Sequence, residues 1–298
     1  MKIPPYLSHG DKVAIISPAG KIDREVVERG AELLHQQGFT VEIGRHACDR
    51  FGVFAGTDAA RAADMQTVLD DPSVKAVFFS RGGYGCLRTH LRLDWSSFLR
   101  QPKWLVGFSD ATVFHAHLAR QRIASIHGVM TSWFARDGVP TADFRHMLEL
   151  LAGKPPRYTI PPHALNRSGT ARGTLAGGNL SILQSLRGTP LDLKPRGKIL
   201  FIEDLGEYHY HLDRMMRNLQ AGHVLEQLAG LVVGHFTGMK DGESPFGLTA
   251  YEIIRDAVDP HDYPVAFGFP AGHASPNLPM LMGGRFSLDV STGGVTIA

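Results

Sequence analysis

The sequence predicts an α/β protein of two domains: a doubly wound N-terminal domain around a parallel sheet, then a smaller α+β C-terminal domain. Three observations carry this. Through the first half, short apolar runs alternate with amphipathic stretches at helical spacing, the pattern of strand–helix–strand units. From 153 to 173 the chain turns rich in Pro, Gly and polar residues and loses its periodicity, which reads as an inter-domain crossover. A length of 298 residues also suits two domains. The expected division is 1–155, a linker over 156–172, and 173–298.

Taken in order, residues 12–17 form an apolar run that ends in Pro18-Ala19-Gly20, a first strand meeting a tight turn. An amphipathic helix follows over 23–37, with Val26, Val27, Ala31, Leu33 and Leu34 on one face and Gly38 as its stop. Residues 40–44 read as a second strand, 57–69 as a helix closed by Asp70, Asp71 and Pro72, and 74–80 as a third strand. Trp104 to Val106 gives a fourth strand, 111–120 a helix, and 126–128 a fifth strand. Beyond the crossover, 198–203 and 228–235 read as strands with a helix over 212–220 between them. A helix over 250–258, a strand over 264–269 and a closing hairpin over 285–298 with Gly293-Gly294 at its turn complete the chain.

Composition narrows the function classes. The chain is 43% hydrophobic and 20% charged with a net charge of +2, so no basic stripe argues for nucleic acid or a membrane surface. Cys48 and Cys86 have no metal-like spacing, and two cysteines fit a reducing compartment better than a disulfide framework. The N-terminal stretch has no apolar core of a secretory signal and no run reaches transmembrane length. A soluble, cytoplasmic protein is the expectation.

Ser109 is the first candidate for chemistry. It lies on the turn between the fourth strand and the following helix, flanked by the small residues Gly107 and Ala111. A sharp turn there lifts the hydroxyl clear and aims the Asp110 N–H at whatever it attacks, as in a nucleophile elbow. The competing reading is that Ser109 or Asp110 caps the helix. Arg81-Gly82-Gly83-Tyr84-Gly85 follows the third strand directly. Its backbone N–H groups can approach a ligand, with Gly83 as a second oxyanion donor beside Asp110, or it is a tight turn requiring positive φ. Glu203 ends an apolar strand, so its carboxylate needs a partner; it orients a histidine or is a loop or helix-cap acid. His273 lies in a Pro/Gly-rich loop, a rigid place for a general base, and the chain has 15 histidines in all. His115 with His117 and His209 with His211 are spaced i, i+2 and point apart, so no metal site and no cofactor are expected.

Together these motifs resemble the LD-carboxypeptidase family, which includes the microcin C self-immunity peptidases. The likeness rests on Ser17-Pro18, Arg81-Gly82-Gly83-Tyr84-Gly85, Gly107-Phe108-Ser109-Asp110 and Ile126-His127-Gly128. It continues through Gly177-Gly178-Asn179-Leu180, Glu203-Asp204-Leu205-Gly206-Glu207, Asp213-Arg214, Gly272-His273 and Asn277-Leu278-Pro279. The resemblance implies a Ser109–Glu203–His273 triad assembled from the two domains, a Rossmann-like N-terminal domain and a homodimer. It implies a small peptide substrate, murein tetrapeptide, from which the terminal D-alanine is released in cell-wall recycling. Arg81 is a candidate for the terminal carboxylate. Phe108 stands where the family often has Tyr, and Met280-Leu281-Met282 departs from the usual stretch. These departures bear on substrate preference, for which acyl-aminoacyl nucleotides are the alternative.

Overall fold

The computed structural model describes residues 1–136 and 139–298. The chain divides into two compact units, Met1–Pro155 with Leu278–Leu281, and Pro156–Asn277 with Met282–Ala298.

The first unit begins with β1 (Lys12–Ile16), α1 (Arg24–Gln36), β2 (Thr40–Ile43), α2 (Asp58–Asp70) and β3 (Val74–Phe79). Short helices α3 (Cys86–His90) and α4 (Ser96–Arg100) lead to β4 (Trp104–Gly107), α5 (Thr112–Arg120) and β5 (Ser125–His127). A two-residue ladder, β6 (Ala135–Arg136) with β7 (Val139–Pro140), precedes α6 (Ala142–Leu151). Strands β2, β1, β3, β4 and β5 run in parallel in that spatial order. The order departs from the sequence order at β1 and β3, the switch at which open α/β sheets place ligands beyond the strands' C-terminal ends. The inner strands β1, β3 and β4 are covered on both faces, so their residues are mostly apolar. Val13, Ile15, Ala76, Phe78, Trp104 and Val106 join Ile126 of β5 in one core with Val27, Leu34 and Met147. α1 runs one residue inside each expected bound. α2 is capped by the Thr57 hydroxyl, which accepts from the Ala60 N–H.

The second unit is built on β8 (Tyr158–Ile160), β9 (Gly169–Asn179), α7 (Leu180–Ser185), β10 (Lys198–Leu205), α8 (His209–Ala221), β11 (Gly230–Thr237), α9 (Ala250–Val258) and β12 (Val265–Ala266). After β13 (Met280–Met282), which extends the first unit's sheet beside β5, the chain closes with β14 (Arg285–Ser291) and β15 (Gly294–Ile297). The seven-stranded sheet runs β12-β11-β10-β9-β14-β15-β8. Its first four strands are parallel, and β14, β15 and β8 join by antiparallel pairing. Leu200, Ile202, Leu231 and Val233 pack with Leu212, Met216, Ile253 and Ile254 of α8 and α9 in a separate core. The stretch 156–172, expected as a linker, carries β8 and the first part of β9. β8 buries alternate residues and residues 169–172 alternate between half-buried and exposed, so this stretch reads as polar and irregular. Among the described residues no helix is long and apolar enough to cross a membrane.

Candidate active site

In the first unit the loops after β3 and β4 meet at Ser109, and the loop after β1 joins them by way of Gly20 and Gly82. β4 ends at Gly107, and a β-carbon there would sit 2.7 Å from the Phe79 ring and 3.2 Å from Ala111 Cβ. The turn is therefore as close to the sheet as a side-chain-free residue allows. Ser109 then takes φ 64°, the left-handed region that costs an ordinary L-residue about 1–2 kcal/mol. It opens a 3-10 turn, Ser109–Ala111, from which α5 continues, and no side chain caps either element. The cap reading of this stretch thus fails. The Asp110 carboxylate serves a different helix: its Oδ2 accepts the Cys86 N–H at 2.7 Å, at the start of α3. Burial raises the Asp110 pKa above the usual carboxylate range, against the Cys86 and Gly85 hydrogen bonds that lower it.

The glycine loop after β3 lies against this turn. A β-carbon on Gly82 would fall 2.9 Å from Ser109 Cβ and 3.0 Å from its Oγ, so nothing larger than glycine fits without displacing the hydroxyl. The Gly82 carbonyl accepts the Gly20 N–H at 3.1 Å. In a trans peptide the C=O and the following N–H point oppositely, so this bond turns the Gly83 N–H away from Gly20. Gly83 has φ 106° and Gly85 φ 139°; the tight-turn reading of this loop also holds. Arg81 is exposed, and its Nη1 donates to the Lys21 carbonyl at 3.0 Å.

Beneath these loops lies a residue the sequence did not single out. Arg61 of α2 is 1% exposed. Its Nη1 donates to the Gly56 carbonyl at 2.6 Å, its Nη2 to Asp58, and its Nε to Thr89 Oγ1 at 3.3 Å, while Thr89 donates to the Pro18 carbonyl at 2.8 Å. The guanidinium also lies 4.6 Å from the centre of the Phe54 ring. A buried cation with this many partners ties the loops after β1 and β2 to α3. The signal for it was an arginine on the inward face of a helix whose other buried residues are Ala62, Asp64, Met65, Val68 and Leu69.

In the second unit Glu203 and His273 meet. Glu203 is 0% exposed on β10, where pairing with β11 is irregular between Ile202 and Asp204. Its Oε2 lies 2.6 Å from His273 Nδ1. This is the partner that a carboxylate on a buried strand required. A β-carbon on Gly272 would lie 2.9 Å from Glu203 Oε2, so glycine beside the histidine is what lets the loop come this close. That loop is pinned by backbone and side chain: Phe269 N–H to Val233 O at 3.0 Å, Gly272 N–H to Asn277 Oδ1 at 3.0 Å, and His235 Nε2–H to Pro276 O at 2.9 Å. A carboxylate on Nδ1 keeps the proton there and makes Nε2 the basic nitrogen, the arrangement of a general base.

Next to Glu203, Asp204 turns the other way. Its Oδ1 accepts from Asn179 Nδ2 at 2.9 Å, and its Oδ2 from the Ser181 N–H and hydroxyl at 2.9 and 2.7 Å. Burial pushes its pKa up to about 6, with the Glu203 charge adding, although the Ser181 and Asn179 bonds pull it down. Glu207 shares the same Ser181 hydroxyl at 2.8 Å and bonds His211. Among the described residues no group of three or more His, Cys, Asp or Glu is arranged to hold a metal ion.

The structure therefore unites Glu203 with His273, and Ser109 with Asp110 and the Gly82 side of the glycine loop. Each pair lies within its own unit. A strained serine on a strand-to-helix turn and a carboxylate-held imidazole are the component parts of a nucleophilic hydrolase. Family models agree on the class: the LD-carboxypeptidase N-terminal domain matches residues 13–128 and the LD-carboxypeptidase C-terminal domain residues 172–288. The chain belongs to the LD-carboxypeptidase family. It is 32% identical over 292 residues to a probable murein peptide carboxypeptidase of Bacillus subtilis, covering 97% of this chain and 92% of that one. It is 30% identical to the murein tetrapeptide carboxypeptidase of Pseudomonas aeruginosa, with 89% of each chain covered. The crystal structure of muramoyltetrapeptide carboxypeptidase from Oxalobacter formigenes superposes with a TM-score of 0.86 at 30% identity, covering 96% of this chain and 97% of that one.

Proposed function

We propose that the chain is a serine LD-carboxypeptidase that releases the terminal D-alanine of murein tetrapeptide, working as a cytoplasmic homodimer without metal or cofactor and without a nucleic-acid or membrane partner. Ser109 Oγ attacks the carbonyl carbon of the residue before the D-alanine and passes its proton to His273 Nε2. The tetrahedral oxyanion is held by the Asp110 and Gly83 N–H groups, each such donor contributing roughly 3 kcal/mol to the barrier reduction. His273 returns the proton to the departing amine of D-alanine, leaving an acyl ester on Ser109. Water, deprotonated by His273, then attacks that ester, and the proton passes from His273 to the departing Ser109 Oγ as the tripeptide acid leaves. Glu203 fixes the imidazole's tautomer and stabilises its charged form, and Arg81 takes the terminal carboxylate.

The observation that carries this reading is the bond of 2.6 Å between the fully buried Glu203 and His273 Nδ1. A buried carboxylate is retained on an imidazole where that ring must bear positive charge in passing. The relatives' names supply the substrate. The test is mass spectrometry of products from murein tetrapeptide ending in D- or L-alanine, with chelator-treated protein and Ser109→Ala alongside. Release of D-alanine alone, insensitive to chelator and absent from the variant, is the expected result. Release that survives Ser109→Ala rejects the nucleophile. No release at all rejects murein and turns the question to acyl-aminoacyl nucleotides.

A further inference from the structure

We propose that His115 is a positioning residue that holds the Ser109 turn in its left-handed geometry, an inference that rests on reading Ser109 as the nucleophile. The imidazole is 2% exposed on α5, the helix that the turn launches. Its Nε2 lies 2.8 Å from the Gly107 carbonyl oxygen and its Nδ1 2.8 Å from Ser125 Oγ. A carbonyl only accepts, so Nε2 carries the proton and donates, and the Ser125 hydroxyl donates to Nδ1. One side chain thus ties α5 to the last residue of β4 and the first residue of β5.

The Gly107 oxygen also accepts the Gly128 N–H at 3.2 Å. With both lone pairs engaged, the peptide plane leading into Phe108 is fixed. Ser109 follows one residue later with φ 64°, a conformation that persists where the surroundings over-determine it. Asp110 secures the far side through Cys86, and His115 secures the near side. As a mere core filler His115 is a poor choice. Its helix buries Val113, Phe114 and Leu118 along with Thr112 and His117, but His115 alone of these reaches both β4 and β5 through its ring nitrogens. An apolar residue of similar size would occupy the space without dehydrating them. Burial keeps the ring neutral by lowering its pKa to about 4, in the form that donates from Nε2 and accepts at Nδ1.

The experiment measures kcat, KM and thermal unfolding for release of D-alanine from murein tetrapeptide. It compares wild type, Ser109→Ala, His115→Phe, His115→Gln and Ser125→Ala. His115→Phe keeps the ring's bulk and loses the donor; kcat should fall roughly 10–100-fold, the loss expected for a small displacement of a reacting group, with KM within about threefold. His115→Gln returns an N–H to the carbonyl and should recover most of that loss while melting no higher than His115→Phe. A His115→Phe protein within about twofold of wild type overturns the proposal, as does a loss that follows melting temperature with no rescue by Gln. Should His115→Phe fail to fold, Ser125→Ala decides: releasing the buried Nδ1 should lower the melting temperature by only a few degrees while kcat falls, and an unchanged kcat overturns the role. Activity surviving Ser109→Ala defeats the nucleophile assignment itself. An inert Ser109→Ala beside a fully active His115→Phe defeats the positioning role alone.

Discussion

The Glu203 carboxylate is fully buried and holds His273 Nδ1 at 2.6 Å, while Ser109 sits at φ 64° against the glycine loop. The small neighbours of Ser109 announced a sharp strand-to-helix turn, but the sign of its φ is set in a turn that packs Gly107 against Phe79 and Ser109 against Gly82, contacts that lie far away in sequence. Glu203 announced that it needed a partner because it sat on an apolar run. The partner is 70 residues away, and nothing local in 15 histidines selects His273. Burial physics says that a bond must exist; topology says with whom. Replacing Glu203 by Gln keeps the shape and removes the charge that orients the ring. The expected outcome is a kcat lower by about 10³–10⁴-fold with the circular dichroism spectrum retained. A kcat within tenfold of wild type would show that the carboxylate is only structural.

At the scale of elements, legibility followed periodicity. The helix expected over 250–258 coincides with α9, because a capping box marks its start: the Thr249 hydroxyl accepts the Glu252 N–H, and the Glu252 carboxylate accepts from Thr249. Helices α3 and α4 have five residues each, too few for a 3.6-residue repeat to show, and α6 went unread. The strand expected over 264–269 contracts to Val265–Ala266, since the chain then turns toward the His273 loop. What the elements position is tested at Gly82. Gly82→Ala brings a methyl group 2.9 Å from Ser109 Cβ and 3.0 Å from its Oγ. It should cost about 1–3 kcal/mol of stability as an overpacked site and lower kcat more than tenfold, the larger share of the damage falling on turnover. Steady-state kinetics beside denaturant unfolding checks this; unaffected turnover would place the nucleophile elsewhere.

Across the whole molecule, the division into two textures was visible, yet the return of Leu278–Leu281 to the first unit was not, because strand addition at long range leaves no local mark. The cores also differ in what acid does to them. Burial lowers the pKa of His90, His115 and His117, all in the first unit, from 6.5 to about 4. The unfolded chain binds protons at these sites before the folded one does, so their contribution is full above about 6.5 and is lost as pH falls toward 4, about 3 kcal/mol for a ring titrating alone such as His115. His90 and His117, hydrogen-bonded to each other at 3.0 Å, titrate as a pair. Asp204, in the second unit, has its pKa raised to about 6. The folded state keeps its proton longer there, so stability rises by a similar amount as pH falls from about 6 toward 3.8. Burial also raises the pKa of Asp64 and Asp110 in the first unit, which contribute in the same direction as Asp204. The three histidine shifts are larger, so the protein should lose stability in acid. Denaturant unfolding between pH 7 and 4.5 should show falling stability, and His117→Phe should flatten the fall; a stability that stays level or rises would contradict the burial of these rings.

The most direct test of the central claim traps the covalent intermediate. A tetrapeptide analogue ending in D-lactate has a better leaving group than the amide, so acylation should outrun hydrolysis and the ester should accumulate. Acid-quenched protein would be weighed intact and then fragmented. The expected result is one tripeptidyl adduct, located on Ser109 and absent after Ser109→Ala. Turnover by Ser109→Ala, or an adduct on any other residue, would contradict the account.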